Sequence, residues 1–535
     1  MERNDDYPTI LQPDSKSPPE VPSVQPGPTG TGVLDEQAFR VIEVDELFRA
    51  ADHTSTRVGR AVLYRSLARP LTSARSIREK QEAVREIAGN SGLRAELEKL
   101  LTVAARGEGE FYNLLYAQFL GMMSKPAHPL EIEGYGYATY LRGTRFLLEV
   151  VERIERLPVT SRYLQGLVER VRAFRQTREY ALLEGPVYRT EKGICTRAEK
   201  GWWTPAIRFR PSLFKPVGLS LAVVLLLAVL TLVPFALEMA ASIAPVFWLF
   251  LLPMGFVYVP IVGSFDRDGV IYPLREIFRR SREVHDVMDA LGQWDELLSF
   301  LRFREAFLPP LCLPEIRDGE RHFLRLKGVR NPVLAKEDPS YVPNDIDLSE
   351  HRLTFITGPN SGGKTAFCKT LAQIQILAQI GCYVPAERAE LTVADRIFYQ
   401  VPEVSHLTDR EGRFGTELKR TKDIFLASTP RSLVIMDELS EGTTNEEKMD
   451  ISIAILDGFR EKGCTTVLIT HNHELVDFYQ SKNIGLARQA EFRNDQPTYR
   501  LIEGVSRVSH ADRIAKKIGF SREDIARYLK GGASS

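Results

Sequence analysis

The chain has 535 residues, 26% of them charged and 44% hydrophobic. That is a globular profile with room for two or three packed domains. Lys plus Arg and Asp plus Glu stand at 70 each, so no overall positive excess advertises a nucleic-acid partner, although a local basic stripe is not excluded. The five cysteines (Cys195, Cys312, Cys368, Cys382, Cys464) show neither metal-ligand spacing nor a paired framework, and read as buried thiols in a reducing compartment.

Residues 1–33 carry seven prolines and many small polar residues. They read as a disordered tail without the apolar segment of a signal peptide. Residues 34–210 read as a helical domain. Apolar residues recur with helical spacing over Ile77–Ala88, Leu93–Ala105 and Tyr140–Ile154. Arg142, Arg145, Arg153, Arg156, Arg162, Arg170, Arg172, Arg175 and Arg178 form a candidate basic surface, against the plainer reading of solvated helix faces.

Between Lys215 and Asp266 the one charged residue is Glu238. Residues 211–265 read as a transmembrane hairpin with spans at about 217–237 and 243–263. Each 21-residue run is ~31 Å long as a helix, the thickness of a bilayer core. Arg208, Arg210 and Lys215 precede the first run; Arg267, Arg275, Arg279 and Arg280 follow the second. The positive-inside rule then predicts an inner (cytoplasmic) membrane protein with two spans, both termini cytoplasmic and membrane lipid as a partner. A re-entrant hairpin and a buried hairpin in a soluble core are the alternatives. Pro234, Pro245, Pro253 and Pro260 favour the bilayer, which tolerates proline in helices. Residues 266–318 return to helix, with Ile277, Val284, Val287, Met288, Leu291, Trp294, Leu297 and Leu298 as the apolar stripe.

Residues 319–535 carry the chemistry. Leu353–Ile356 reads as a buried strand. Gly358, Pro359, Asn360, Ser361, Gly362, Gly363, Lys364 and Thr365 then fit G-x-x-x-x-G-K-[ST], and an amphipathic helix follows from about Thr365 to Ile380. That strand–loop–helix context is the one a phosphate loop needs: glycines let backbone N–H groups curl round phosphate oxygens at a helix N-terminus. Lys364 is expected on the phosphates and Thr365 on Mg²⁺. Leu433–Met436 reads as a second strand, ending in Asp437 and Glu438. Asp437 is the expected metal carboxylate and Glu438 the acid that activates water. A third strand, Thr465–Thr470, ends at His471, a candidate γ-phosphate sensor. His473 reads as a solvated loop residue.

These motifs, GPNSGGKT…LAQIGCYVPAE, STPRSLVIMDELSEGTT and VLITHNHEL, resemble the ATPase domain of the MutS family, within the ABC class of P-loop ATPases. The likeness extends to Arg330–Leu334, Val342–Ile346 and Gly504–Ala511. Asp45–Phe48, Thr56–Arg60 and Leu67–Leu71 resemble the start of the MutS core domain. The resemblance implies a helical MutS-like core and lever region and an ABC-type P-loop ATPase domain, and with the transmembrane hairpin read above the fold class is multidomain α and α/β. The resemblance also implies ATP and Mg²⁺ as cofactors, Pro332 and Asn344 beside the adenine, and a homodimer formed through the ATPase domains. DNA is a candidate partner, in mismatch-repair-like or DNA-structure sensing. The chain departs from the family at three points. No mismatch-reading domain with a Phe-x-Glu wedge is expected ahead of residue 34. Glu411-Gly412-Arg413 stands where a signature Ser is usual, and Asn331 where a His is usual. A membrane mechano-ATPase that remodels a membrane complex without nucleic acid is the alternative function.

Overall fold

The computed structural model describes residues 17–22, 24–121, 125–215, 258–308, 310–338, 340–359, 362–402, 412–439, 445–494, 496–506 and 518–531. The first half is mainly helical: α1 (Glu36–Val41), α2 (Val44–Ala51), α3 (Arg57–Ala68), α4 (Ala74–Gly89), α5 (Ser91–Tyr116), α6 (Tyr137–Glu155), α7 (Arg162–Phe174) and α8 (Arg178–Glu184). Strands β1 (Gln118–Phe119) and β2 (Glu131–Ile132) pair with each other, and β3 (Tyr188–Thr190), β4 (Gly193–Cys195) and β5 (Ile207–Arg208) form a small antiparallel sheet. A π-helical turn at Arg267–Ile271 leads into α9 (Tyr272–Arg280) and α10 (Arg282–Ala306). The second half alternates: β6 (Glu315–Arg317), β7 (Leu324–Val329), α11 (Leu334–Glu337), β8 (Asn344–Asp347), β9 (Leu353–Thr357), α12 (Lys364–Gln379), β10 (Arg388–Thr392), β11 (Ile397–Gln400) and α13 (Gly412–Ala427). It continues with β12 (Leu433–Asp437), α14 (Asn445–Lys462), β13 (Thr465–Ile469), α15 (His473–Ser481), β14 (Leu486–Arg493), β15 (Gln496–Glu503) and α16 (Arg522–Gly531).

The chain divides into two compact units. One holds residues 1–23, 54–62 and 86–297; the other holds 24–53, 63–85 and 298–535. In the first, α5 packs along α6. Leu93, Leu97, Leu100, Leu101, Ala104 and Phe111 bury one face of α5, and Phe146, Leu147, Val150, Val151 and Ile154 bury the facing side of α6. Each of these Leu, Ile, Val and Phe side chains stabilises by roughly 1.5–3 kcal/mol when fully buried. Glycine sets the approach: a Cβ on Gly107 would fall 2.6 Å from the Phe146 ring.

Two buried carboxylates hold the N-terminus of α3 in this unit. Asp295 accepts from the backbone of Ser55 and Thr56 and from the Thr56 hydroxyl at 2.7–3.0 Å. Glu108 accepts from the Arg57 amide at 2.6 Å. Together they satisfy N–H groups that a helix start leaves open. Burial pushes the Glu108 carboxyl up to about 7, while the amides of Arg57 and Val58 pull the other way.

The second unit contains two sheets. A six-stranded sheet runs β11-β12-β13-β9-β14-β15, and a four-stranded one runs β6-β10-β7-β8. In the larger sheet neighbours are parallel from β11 to β14, and β15 closes it as an antiparallel edge. Such strands are covered on both faces and read as apolar runs, as in Leu433–Met436. One face packs Ile424 of α13, Leu456 and Phe459 of α14 and Tyr479 of α15 on Phe355, Val434 and Leu468. The fold is a mixed α/β, multidomain one.

Three expectations change here. The helical domain expected over 34–210 is divided, because 34–53 and 63–85 pack with the C-terminal unit. Polar ties far apart in sequence carry that packing: Gln379 donates to the Leu71 carbonyl at 2.8 Å and Gln81 to the Pro314 carbonyl at 2.9 Å. The tail expected to be disordered through residue 33 is ordered at its end, where the Val33 carbonyl accepts from the Ile397 amide at 2.8 Å. The membrane location is overturned: among the described residues no helix is long and apolar enough to cross a membrane. Residues 216–257 of the expected hairpin lie outside the described residues. Residues 258–263 belong to a helix that continues to residue 266, where Lys215 pairs with Asp266 at 2.7 Å and Tyr137 donates to it at 2.6 Å.

The Glu108 carboxyl carries a pH prediction. Below pH 4.5 it is protonated in both folded and unfolded chains. Between 4.5 and about 7 only the folded protein keeps the proton, so its contribution to stability is lost as pH rises through that window. Urea unfolding at pH 5 and pH 8 is expected to show that Glu108→Gln removes between about 2 and 3 kcal/mol of the wild-type decline. An unchanged decline contradicts this.

Candidate nucleotide-binding site

The parallel register sets three strand ends level. Asp437 lies opposite Ile469, and Ile469 opposite Ile356. The residues that follow β9, β12 and β13 therefore emerge together at the carboxyl edge of the sheet, where open α/β sheets bind ligands.

After β9 the chain turns at Gly358, with φ of +124°, a backbone that side chains rarely tolerate. Gly363, at φ +80°, precedes Lys364, the first residue of α12. Gly362 faces β14, where an added Cβ would meet the Ala490 Cβ at 2.6 Å. Asn360 and Ser361 lie outside the described residues; Pro359 is buried. Lys364 is buried and its Nζ donates back to the Gly358 carbonyl at 2.5 Å. Burial lowers its pKa, while Asp437 and Glu438 act to raise it. An ammonium held in low dielectric beside the start of a 16-residue helix is arranged to meet an anion.

The Thr365 hydroxyl donates to Asp437 Oδ2 at 3.0 Å. A hydroxyl and a carboxylate converging at the phosphate loop are hard oxygen donors, the chemistry that fits Mg²⁺. Glu438 follows with φ of +63°, a left-handed backbone that strains a residue with a side chain. Its amide donates to the Ile469 carbonyl at 2.9 Å, which fixes it at the strand edge. Strain of this kind persists where surroundings over-determine it, and it clusters at functional sites. The Glu438 carboxylate lies 3.7 Å from His471 Nε2. His471 is half exposed, as a group that senses a ligand from the solvent side would be. His473 instead opens α15.

The residues expected beside the base are less uniform. Pro332 is buried in the turn before α11. The Asn344 side chain is committed to β15: it donates to the Tyr499 carbonyl at 3.0 Å and accepts from the Leu501 amide at 2.7 Å. Asn331 has all its hydrogen-bonding capacity engaged. It donates to Thr370 Oγ1 and Gln373 Oε1 of α12 at 2.9 and 3.0 Å and accepts from the amides of Val333 and Leu334. It thereby anchors the Pro332 turn to the phosphate-loop helix, and that geometry is set by two donors and two acceptors. Sequence reasoning passed over Tyr499. It is 54% exposed at φ +59°, and its ring would lie 3.3 Å from a Cβ on Gly363. Nothing local marks it, because the hairpin folds β15 back past the loop. Gly412 begins α13, and Glu417 is buried on it.

The close approach of Gly362 to Ala490 is testable. Gly362→Ala is expected to weaken ATP binding at least tenfold by displacing the loop, and Ala490→Gly in the same chain to restore most of it. Equal weakening in the double variant, measured by calorimetric titration, contradicts that contact.

Comparison with known proteins agrees with this geometry. Residues 354–529 match the family model of MutS domain V, and residues 34–114 match that of MutS domain III. The DNA mismatch repair protein MutS of Prochlorococcus marinus is 31% identical over 259 residues, covering 46% of this chain and 28% of that protein. The DNA mismatch repair protein MSH3 of Kluyveromyces lactis is 33% identical over 267 residues, 48% of this chain and 26% of the relative. The DNA mismatch repair protein MutS of Desulforamulus reducens is 40% identical over 169 residues, 31% of this chain and 19% of the relative. The chain thus matches less than a third of the length of these relatives. The domain V match spans the phosphate loop, both strand-end carboxylates and His471, and over these two stretches the chain is similar to MutS-family proteins.

Proposed function

We propose that this protein is a Mg²⁺-dependent ATPase with an ABC-type P-loop domain, working as a dimer and coupling ATP to DNA binding. The observation that carries the reading is the convergence of Lys364, Thr365, Asp437, Glu438 and His471 at one sheet edge.

Each residue has a role that its position supports. The loop amides from Gly358 to Thr365 and the Lys364 ammonium bind the phosphates. Thr365 and Asp437 hold Mg²⁺, which supplies charge neutralisation at the phosphate oxygens when bound. Glu438, on its strained turn, orients the attacking water and accepts its proton. His471, 3.7 Å from that carboxylate, donates a hydrogen bond to the outermost phosphate oxygens. Tyr499 stands beside the loop where a base would stack, held there by Asn344 through the backbone of β15, and Pro332 would complete the base side from the turn before α11.

The DNA part of the reading rests on the relatives, whose names place them in DNA mismatch repair. A homodimer is the simplest assembly, and the MSH3 relative brings a heterodimer within reach. The arginines of α6 and α7 support DNA binding weakly. Arg153 pairs with Glu149 at 2.8 Å, Arg142 with Glu110 at 3.3 Å, Arg175 with Glu155 at 3.2 Å, and Arg156 with Glu152. Charges neutralised in this way make a poor phosphate-binding stripe.

Two variants test the proposal. Lys364→Ala is expected to abolish tight ATP binding. Glu438→Gln is expected to keep ATP but turn it over at least ~100-fold more slowly, the usual effect of losing a general base. Normal turnover in Glu438→Gln refutes the role of that acid. The ATP-held Glu438→Gln protein is also expected to bind duplex DNA in a salt-sensitive way; ATP retention with no DNA binding at low salt refutes the DNA part alone.

A further inference from the structure

Residues 28–43 run across the edge of the larger sheet and meet both α13 and the phosphate-loop helix α12 within the same unit. At one end Arg420 of α13 pairs with Asp35 at 2.7 Å, with both side chains nearly buried, and its other nitrogen donates to the Thr29 hydroxyl. Asp35 is not an incidental partner. Its second oxygen accepts from the Ala38 amide at 2.7 Å and so caps α1. Gly30 lies against the last residue of α13, with a built Cβ 3.2 Å from that of Ala427. In the middle, the Ile397 amide donates to Val33 at 2.8 Å and Arg396 donates to the Gly32 carbonyl at 2.8 Å. This binds the segment to β11.

At the other end the partner is α12, the helix that opens with Lys364. Gln373 donates to the Ile42 carbonyl at 2.9 Å, and Lys369 pairs with Glu43 at 2.6 Å. Glu43 sits at φ +62° between α1 and α2, a left-handed backbone at a residue with a side chain. Gln373 also accepts from Asn331, so the end of the segment is connected to the Pro332 turn. Helix α13 is also held by β11, where Gln400 donates to Thr421 Oγ1 at 2.9 Å.

We propose that residues 28–43 form a strap that fixes α13 relative to the phosphate-loop helix, with Asp35–Arg420 and Glu43–Lys369 as its two fasteners. These four are positioning residues: they touch no reacting atom. The proposal rests on the ATPase reading above and adds a control of rate to it. The strap sets how α13 sits while phosphate chemistry proceeds, and its two fasteners attach to α12 and α13 rather than to the loop that holds the nucleotide. Loosening it therefore slows turnover without loosening ATP.

The test uses the full-length protein with Glu43→Gln, Lys369→Met, Asp35→Asn and the charge exchange Glu43→Lys with Lys369→Glu. Glu43 is half exposed, so its variants are expected to fold even if Asp35→Asn does not. Steady-state turnover and equilibrium ATP binding are measured side by side. The expected result is a fall in kcat of at least fivefold in Glu43→Gln and Lys369→Met, ATP affinity within twofold of wild type, and recovery of kcat in the charge exchange. Unchanged kcat in a wild-type-like fold overturns the strap and leaves the ATPase reading intact. Equal losses of kcat and affinity, unrelieved by the exchange, also overturn it, because they mark a merely structural contact. Absence of turnover in the wild-type protein removes the ATPase reading and the strap with it.

Discussion

The parallel register of β9, β13 and β12 is the constraint on which the candidate site depends. It places Ile356, Asp437 and Ile469 on one line of the sheet. The residues that follow them belong to three separate stretches of chain, yet a shift of one residue in any pairing would turn a site side chain to the opposite face. The register itself is held by a core made almost wholly of apolar strands and the helices on them. Packing precision and functional geometry are thus the same property here.

Electrostatics follow from that placement. Lys364 is buried where an ammonium is disfavoured, and the nearby carboxylates Asp437 and Glu438 offset the penalty. In the proposed site the lysine would meet the phosphates, and Thr365 and Asp437 would hold the divalent cation. The strained backbone of Glu438 and the positive-φ turns at Gly358 and Gly363 follow strands β12 and β9, whose ends lie level at one sheet edge. Conformational strain is concentrated where a polyphosphate would be gripped, while the surrounding strands and helices are regular.

Local chemistry was legible in the sequence and long-range chemistry was not. Gly358 to Thr365 announce themselves because the spacing of glycines, lysine and threonine is itself the mechanism. Asp437 and Glu438 were legible because an apolar strand ended in two acids. The fasteners of the strap were not, since Glu43 and Lys369 are 326 positions apart and only folding brings them together. Nor did any pattern show that Asn344 would be occupied by β15, or that 34–53 and 63–85 would leave the helical domain for the sheet. The membrane expectation came from hydropathy over 217–263, the basic residues flanking it and its prolines. Helices within the described residues carry charged faces and none meets the requirement for a span.

The most direct measurement of the central claim is the Mg²⁺ linkage of ATP binding in the wild-type protein and in Asp437→Asn, titrated calorimetrically with and without the metal. If Thr365 and Asp437 form the metal side of a nucleotide site, Mg²⁺ tightens ATP binding by at least tenfold in the wild type and by less than about threefold in Asp437→Asn, a coupling loss of roughly 1 kcal/mol. Equal tightening in both proteins would contradict the assignment and with it the site as described.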